Sequence, residues 1–162
     1  MWEQSVKIVM QRVSGGKTPL VAALDTNKYK SFASVNNIIL RDKYSDFYEV
    51  ILALLNSKLL NWFYAINFSN NSELTVNISK TLLSQLPIPD LNSINKIVLN
   101  KLKNIVSVML NKQFKNSEVI KNKIDLIVYK LYNLTYEEVK IVDPGIGEII
   151  SEEEYEKFEI EN

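Results

Sequence analysis

Arg12, Lys17, Lys28, Lys30, Arg41 and Lys43 fall on or beside the turns of a strand meander predicted in the first 45 residues, with Ser14 and Tyr29 among them. Cations on loop tips neutralise phosphates, while Gln, Asn, Ser and Arg side chains hydrogen-bond base edges. Asn70 and Asn71, followed by Ser72, form a second polar tip of the base-reading type. Tyr29 is the aromatic residue of a predicted loop, hence the candidate for stacking on a base. Phe32 falls in a predicted strand, and Trp62 and Phe63 read as core. The predicted contacts to a polyanion are therefore Arg12, Ser14, Lys17, Lys28, Tyr29, Lys30, Arg41, Lys43, Asn70 and Asn71. The competing reading is that each is a solvated loop residue; their concentration on one small region is what favours binding.

Catalysis has little to work with. The 162 residues contain no His and no Cys, which removes Ser-His-Asp and Cys-His arrangements, thiolate nucleophiles and Cys-ligated zinc. Asp42, Asp46 and Glu49 cluster at a predicted helix start, where the helix dipole favours acids without any catalytic role. Ser14-Gly15-Gly16-Lys17 lacks the GxxxxGK[ST] spacing of a phosphate-cradling loop and precedes a predicted strand. It reads instead as a hairpin tip that can bring Lys17 and bare backbone amides to a phosphate.

The elements that must position these residues follow from periodicity. Val6–Val13 and Thr18–Leu24 read as two strands, with Pro19 at the start of the second; Tyr29–Ala33 and Asn36–Leu40 read as two more. From Tyr44 to about Asn67 the pattern is helical and apolar almost all round, with Ser45 or Asp46 as N-cap. That helix should be the central core element. Glu73–Ile78 alternates like a strand, and Ser79–Leu86 is a short helix stopped by Pro87-Ile88-Pro89. A long helix from Leu91 to about Lys115 carries the stripe Leu91, Ile94, Val98, Leu102, Ile105 and Met109. A further helix is capped by Asn116 or Ser117, and Thr135 and Glu138 stand at capping-box spacing. The predicted class is α+β: a small antiparallel β region packed on a buried helix, then a C-terminal helical segment. The predicted division is 1–90, 91–142 and an acidic tail over 143–162.

Zero net charge, 19 Lys+Arg against 19 Asp+Glu, hides an asymmetry. Through Asn116 there are 14 basic and 7 acidic residues; from Ser117 on there are 5 and 12. A basic body suits a polyanion. Ser151-Glu152-Glu153-Glu154 fits a short capped helix as well as a frayed end. No basic n-region followed by an apolar stretch opens the chain and no apolar run is long enough to span a bilayer, which predicts a cytoplasmic protein with no membrane partner.

Several segments in order resemble a known family. They are Val6-Lys7-Ile8-Val9 with Gln11-Arg12, Ala22-Ala23-Leu24-Asp25, Ile51 to Leu60 (ILALLNSKLL), Leu86-Pro87-Ile88-Pro89, and Ile124 to Glu138 (IDLIVYKLYNLTYEE). Together they look like the TaqI-like C-terminal specificity region of type IIG restriction-modification enzymes and N6-adenine DNA methyltransferases. The LNSKL and LPIP segments are also similar to specificity subunits of type I systems. The resemblance implies double-stranded DNA as partner and an upstream methyltransferase domain in the same polypeptide. It implies that S-adenosylmethionine and Mg belong to the parent's other domains and that this chain holds no cofactor. The Asn-Pro-Pro-Tyr methylation motif and a PD-(D/E)xK nuclease site are absent from the sequence. Alone, the chain is expected neither to methylate nor to cut. A reading from another class is a helical protein-interaction module, in which the Leu91–Leu134 helices expose an apolar stripe to a partner, as in a helix-mediated dimer. A stand-alone enzyme ranks far below both.

Overall fold

The computed structural model describes residues 6–15, 18–68, 76–111 and 117–160. The fold is α+β. Strand β1 (Lys7–Gln11) is followed at once by β2 (Val13–Ser14), then by β3 (Ala22–Asp25) and β4 (Val35–Ile38). β1 lies between β3 and β4 and is antiparallel to both, with Ile8 opposite Leu24 on one side and Ile38 on the other. Arg12 marks where the chain changes sheet. Its N–H donates to the Ser34 carbonyl and its carbonyl accepts from Ile78, so β2 pairs instead with β5 (Val76–Asn77).

The helical pattern that begins at Tyr44 does not form one helix. A 3-10 helix over Asp42–Phe47 leads into α1 (Tyr48–Asn56), and α2 (Lys58–Phe68) restarts after Ser57. Neither Ser45 nor Asp46 caps a helix, because the 3-10 turn has already begun at Asp42. Ser57 is the break. Its Oγ donates to the Leu54 carbonyl and accepts from the Leu60 N–H, which makes it the N-cap of α2. The expectation of a helix buried on all sides holds for α1, where Tyr48 and Val50 to Leu55 are all buried. Trp62 and Phe63 are only half-buried at the edge of the core.

Downstream, α3 (Lys80–Leu83) is capped by Ser79, whose side chain accepts from the Leu82 N–H. An Asp90 turn comes before α4 (Lys96–Asn111): Asn92 N–H donates to Asp90 Oδ1 and Ser93 N–H to the Asp90 carbonyl. That turn, with Asn95 accepting from the Ile97 N–H, delays the helix from the expected Leu91. α5 (Ser117–Leu131), α6 (Tyr136–Val142) and α7 (Glu152–Lys157) complete the chain. α6 carries the expected capping box between Thr135 and Glu138, and α7 a second one between Ser151 and Glu154. The acidic end is therefore a docked helix. Tyr155 is fully buried and its hydroxyl donates to the Leu134 carbonyl at 2.8 Å.

One hydrophobic cluster runs from Ile8 to Tyr155. α1 packs on β1 and β3, and α4 packs on α1 and α5. The predicted stripe turns inward: Leu91 and Ile94 ahead of α4, and Val98 and Leu102 on it, are buried, joined by Leu99 and Val106. The remaining stripe residues, Ile105 and Met109, are half-buried against the same cluster. No helix among the described residues is long and apolar enough to cross a membrane.

Candidate nucleic-acid interface

The strand order dictates the path of the segment carrying most of the candidate residues. β3 and β4 both oppose β1, so they run parallel to each other, and residues 26–34 must cross the sheet from one end to the other. This is why the expected strand over Tyr29–Ala33 does not form. The crossing uses the outer face, since Ile8 and Met10 point inward toward α1 and alternation sends Lys7, Val9 and Gln11 outward.

The crossing segment is tied down at both ends and in the middle. Lys7, only 3% exposed, donates its ammonium to the Tyr29 carbonyl, and Nζ lies 3.3 Å from Asp25 Oδ2. Asp25 Oδ1 accepts from the Asn27 N–H at 2.8 Å, the side-chain-closed turn that Asp favours. Ser31 and Asn37 exchange hydrogen bonds of 2.7 and 3.0 Å. Arg12 Nη1 donates to the Ala33 carbonyl at 3.2 Å. Lys28 turns the chain at φ 59°, a left-handed conformation that non-glycine residues seldom adopt.

With the backbone held, the side chains stand in solvent. Lys28 and Lys30 are exposed, Tyr29 is 68% exposed and Phe32 86%. Residues 26–34 contain no acid, and the adjacent Asp25 is taken up by Lys7. Cations and two aromatic rings on a braced loop can bind phosphates and stack on bases.

The structure therefore brings Arg12, Lys28, Tyr29 and Lys30 onto one connected surface. Arg41 and Lys43 are exposed beyond β4, at the end of the sheet where β1 begins, and Lys43 Nζ lies 4.7 Å from the Tyr44 ring centre. Ser14 is at the opposite end, half-buried and paired with Val76. Lys17, Asn70 and Asn71 lie outside the described residues. Phe32 was missed by sequence reasoning. Its segment was read as a strand, and the signal that identifies it, the crossing forced by strand order, is not local.

Above the sheet, a pair of amide side chains steadies the approach to β3. Asn61 Oδ1 accepts from the Leu20 N–H at 2.8 Å, and Asn56 bonds both the N–H and the carbonyl of Ala22 at 3.0 Å. This is why the expected strand over Thr18–Leu24 begins only at Ala22: side chains, not a neighbouring strand, satisfy the backbone before it.

A second polar cluster lies among the helices. Asp125 Oδ1 accepts from the Lys58 N–H at 2.8 Å, the Lys58 ammonium reaches Asp143 at 2.7 Å, and Tyr129 donates to the same Asp143 oxygen at 3.4 Å. Burial pushes the Asp125 carboxyl up to about 6, against the opposing pull of the Lys58 N–H and ammonium. Burial likewise holds the Tyr129 hydroxyl well above the usual phenol range. The geometry here is that of a joint: a carboxylate on α5 caps the start of α2.

A family model described as "TaqI-like C-terminal specificity domain" matches residues 1–88. No curated protein and no solved structure matches the chain.

Proposed function

The chain belongs to the TaqI-like C-terminal specificity domain family, whose members serve DNA sequence recognition in restriction-modification enzymes, and from that premise we propose that residues 26–34 and Arg12 form its duplex-reading surface. The observation that carries this reading is the braced outer-face crossing, which presents Lys28, Tyr29 and Lys30 with no acid of its own. Lys28, Lys30 and Arg12 neutralise phosphates, and Tyr29 meets a base. Arg41 and Lys43 extend the cationic edge along the backbone at one end of the sheet, and Ser14 lies at the other; Lys17, Asn70 and Asn71 are kept as contacts on their residue types alone. The major groove is the target, because each base pair shows a distinct donor and acceptor pattern there.

The finer reading places this chain downstream of an adenine-N6 methyltransferase domain in a type IIG polypeptide acting in the cytoplasm. In that arrangement S-adenosylmethionine and Mg are bound by the other domains. Specific DNA complexes bury on the order of 1,000 Å² or more of protein surface. The parent's other domains contribute to that area, so the chain alone should bind duplex DNA weakly and with strong salt dependence.

The test is binding to a pool of random duplexes at low and moderate salt, with Lys28→Glu/Lys30→Glu beside the parent sequence. Each lost phosphate contact should reduce the slope of log affinity against log salt by about 0.9. The expected result is salt-sensitive binding that the double variant loses. Absence of binding even at low salt would overturn the reading.

A further inference from the structure

Phe32 is the most exposed of the large apolar side chains among the described residues, at 86%. A single exposed apolar side chain is ordinarily unremarkable on a protein surface. Three features set this one apart. Its backbone is fixed: the Phe32 carbonyl accepts from the Val35 N–H at 3.0 Å, Ser31 is bonded to Asn37, and the Ala33 and Ser34 carbonyls both accept from Arg12. Its sequence neighbours on the C-terminal side, Ala33 and Ser34, are small and exposed, so neither of them covers the ring. The cations nearest in sequence, Lys28 and Lys30, and the Arg12 guanidinium that reaches Ala33, share its surface.

A protein-docking site would be a contiguous apolar patch with charge kept from its centre. A protruding ring on a hydrogen-bonded backbone, among cations, instead fits a narrow apolar slot lined by anions. The gap between adjacent base pairs of a duplex, flanked by phosphates, is such a slot. Resting on the DNA-recognition reading above, we infer that Phe32 is a wedge that enters between two base pairs of the bound duplex and partly unstacks them, while Lys28, Lys30 and Arg12 hold the backbone on either side.

A wedge leaves a signature that a phosphate contact does not. Its cost is the unstacking of the step, which is smaller at a mismatched pair. The experiment compares fully paired random duplexes with the same pool carrying one central mismatch, for the unmodified chain, Phe32→Ala and Lys30→Ala, across a salt series. The unmodified chain should prefer the mismatched pool. Phe32→Ala should bind paired DNA about tenfold more weakly, in line with the loss of one stacked contact. It should keep the same salt slope and lose the mismatch preference. Lys30→Ala should lower the slope by about 0.9 and keep the preference. The side chain is outside the core, and circular dichroism checks that Phe32→Ala stays folded. If Phe32→Ala retains the unmodified affinity, or weakens paired and mismatched binding equally, the wedge is overturned and the DNA-reading surface stands. If the unmodified chain binds neither pool at low salt, the DNA-reading surface falls and the wedge with it.

Discussion

Lys7 and Asp25 sit opposite each other across β1 and β3, each less than a tenth exposed, beneath the segment that crosses the sheet. A buried ion pair adds little net stability, because desolvation offsets the attraction, but removing one partner strands a charge. Lys7→Met should therefore cost about 3–5 kcal/mol of unfolding free energy, and Lys7→Met/Asp25→Asn much less. Urea denaturation of the two single variants and the double gives the coupling directly. If the single and double losses are the same, the pair does not act as a unit. Lys28 poses the reverse problem. Its left-handed backbone costs a non-glycine residue roughly 1 kcal/mol, so Lys28→Gly should raise stability by up to that amount while weakening DNA binding. Opposite signs in the urea midpoint and in the affinity would mark Lys28 as kept for its charge at the expense of its conformation.

At the scale of elements, the segment Leu55-Asn56-Ser57-Lys58-Leu59 shows what a short motif can hold. Asn56 binds the Ala22 backbone, Ser57 ends one helix and caps the next, and Lys58 meets both Asp125 and Asp143. Three residues on, buried Asn61 holds the Leu20 backbone and donates to the Ser57 carbonyl at 3.0 Å. Asn61→Ala would leave buried backbone groups unpaired and should cost about 2 kcal/mol; Asn56→Ala, at an exposed position, should cost less. Equal losses in urea denaturation would contradict this ranking. The same segment shows where sequence reasoning stops. The capping box at Thr135 was legible because a hydroxyl and a glutamate three residues apart satisfy each other locally, whereas at Ser151 the sequence left a capped helix and a frayed end both open. The buried face of α1 was legible because its apolar run is unbroken. The helix break was not, since apolar periodicity runs straight through Ser57, and the carboxylate capping the new helix comes from Asp125, 67 residues away. The crossing at 26–34 was hidden for a similar reason. Its alternation matches a strand, and only the non-consecutive order β3-β1-β4 sends it over the sheet. For the candidate site, cation positions could be read from the sequence, but which of them share a surface could not.

On the whole-molecule scale the charge asymmetry becomes spatial. The cationic crossing lies on the sheet face turned away from α1, whereas the acidic α7 packs on α6, and α6 on α2, within the helical layer. Such a dipolar surface orients a polyanion toward the sheet. The joint between the halves is the Lys58–Asp125–Asp143 cluster, and it makes stability depend on pH in an unusual direction. Asp125 is raised from 3.8 to about 6 by burial, so between those values the folded chain holds a proton that the unfolded chain releases. Its stabilising contribution is complete below about 3.8 and is lost as pH rises through about 6. At about 1.4 kcal/mol per pH unit, acidifying from pH 7 should raise the unfolding free energy by up to roughly 3 kcal/mol. Glu138 and Glu154 act in the opposite sense. Hydrogen bonds in their capping boxes lower them below 4.5, so what they contribute is present above that value and is lost below it. The stability curve should therefore climb as pH falls from 7, with Glu138 and Glu154 working against the climb below 4.5. Asp125→Asn keeps an oxygen to cap Lys58 but removes the titration, so its curve should lack the climb between pH 7 and about 4.5. Urea titrations of both chains from pH 4 to 7.5 decide the matter. A climb that persists in Asp125→Asn would assign it to some other group, and no climb in the unmodified chain would mean that Asp125 is solvated far better than its buried position between α2 and α5 implies.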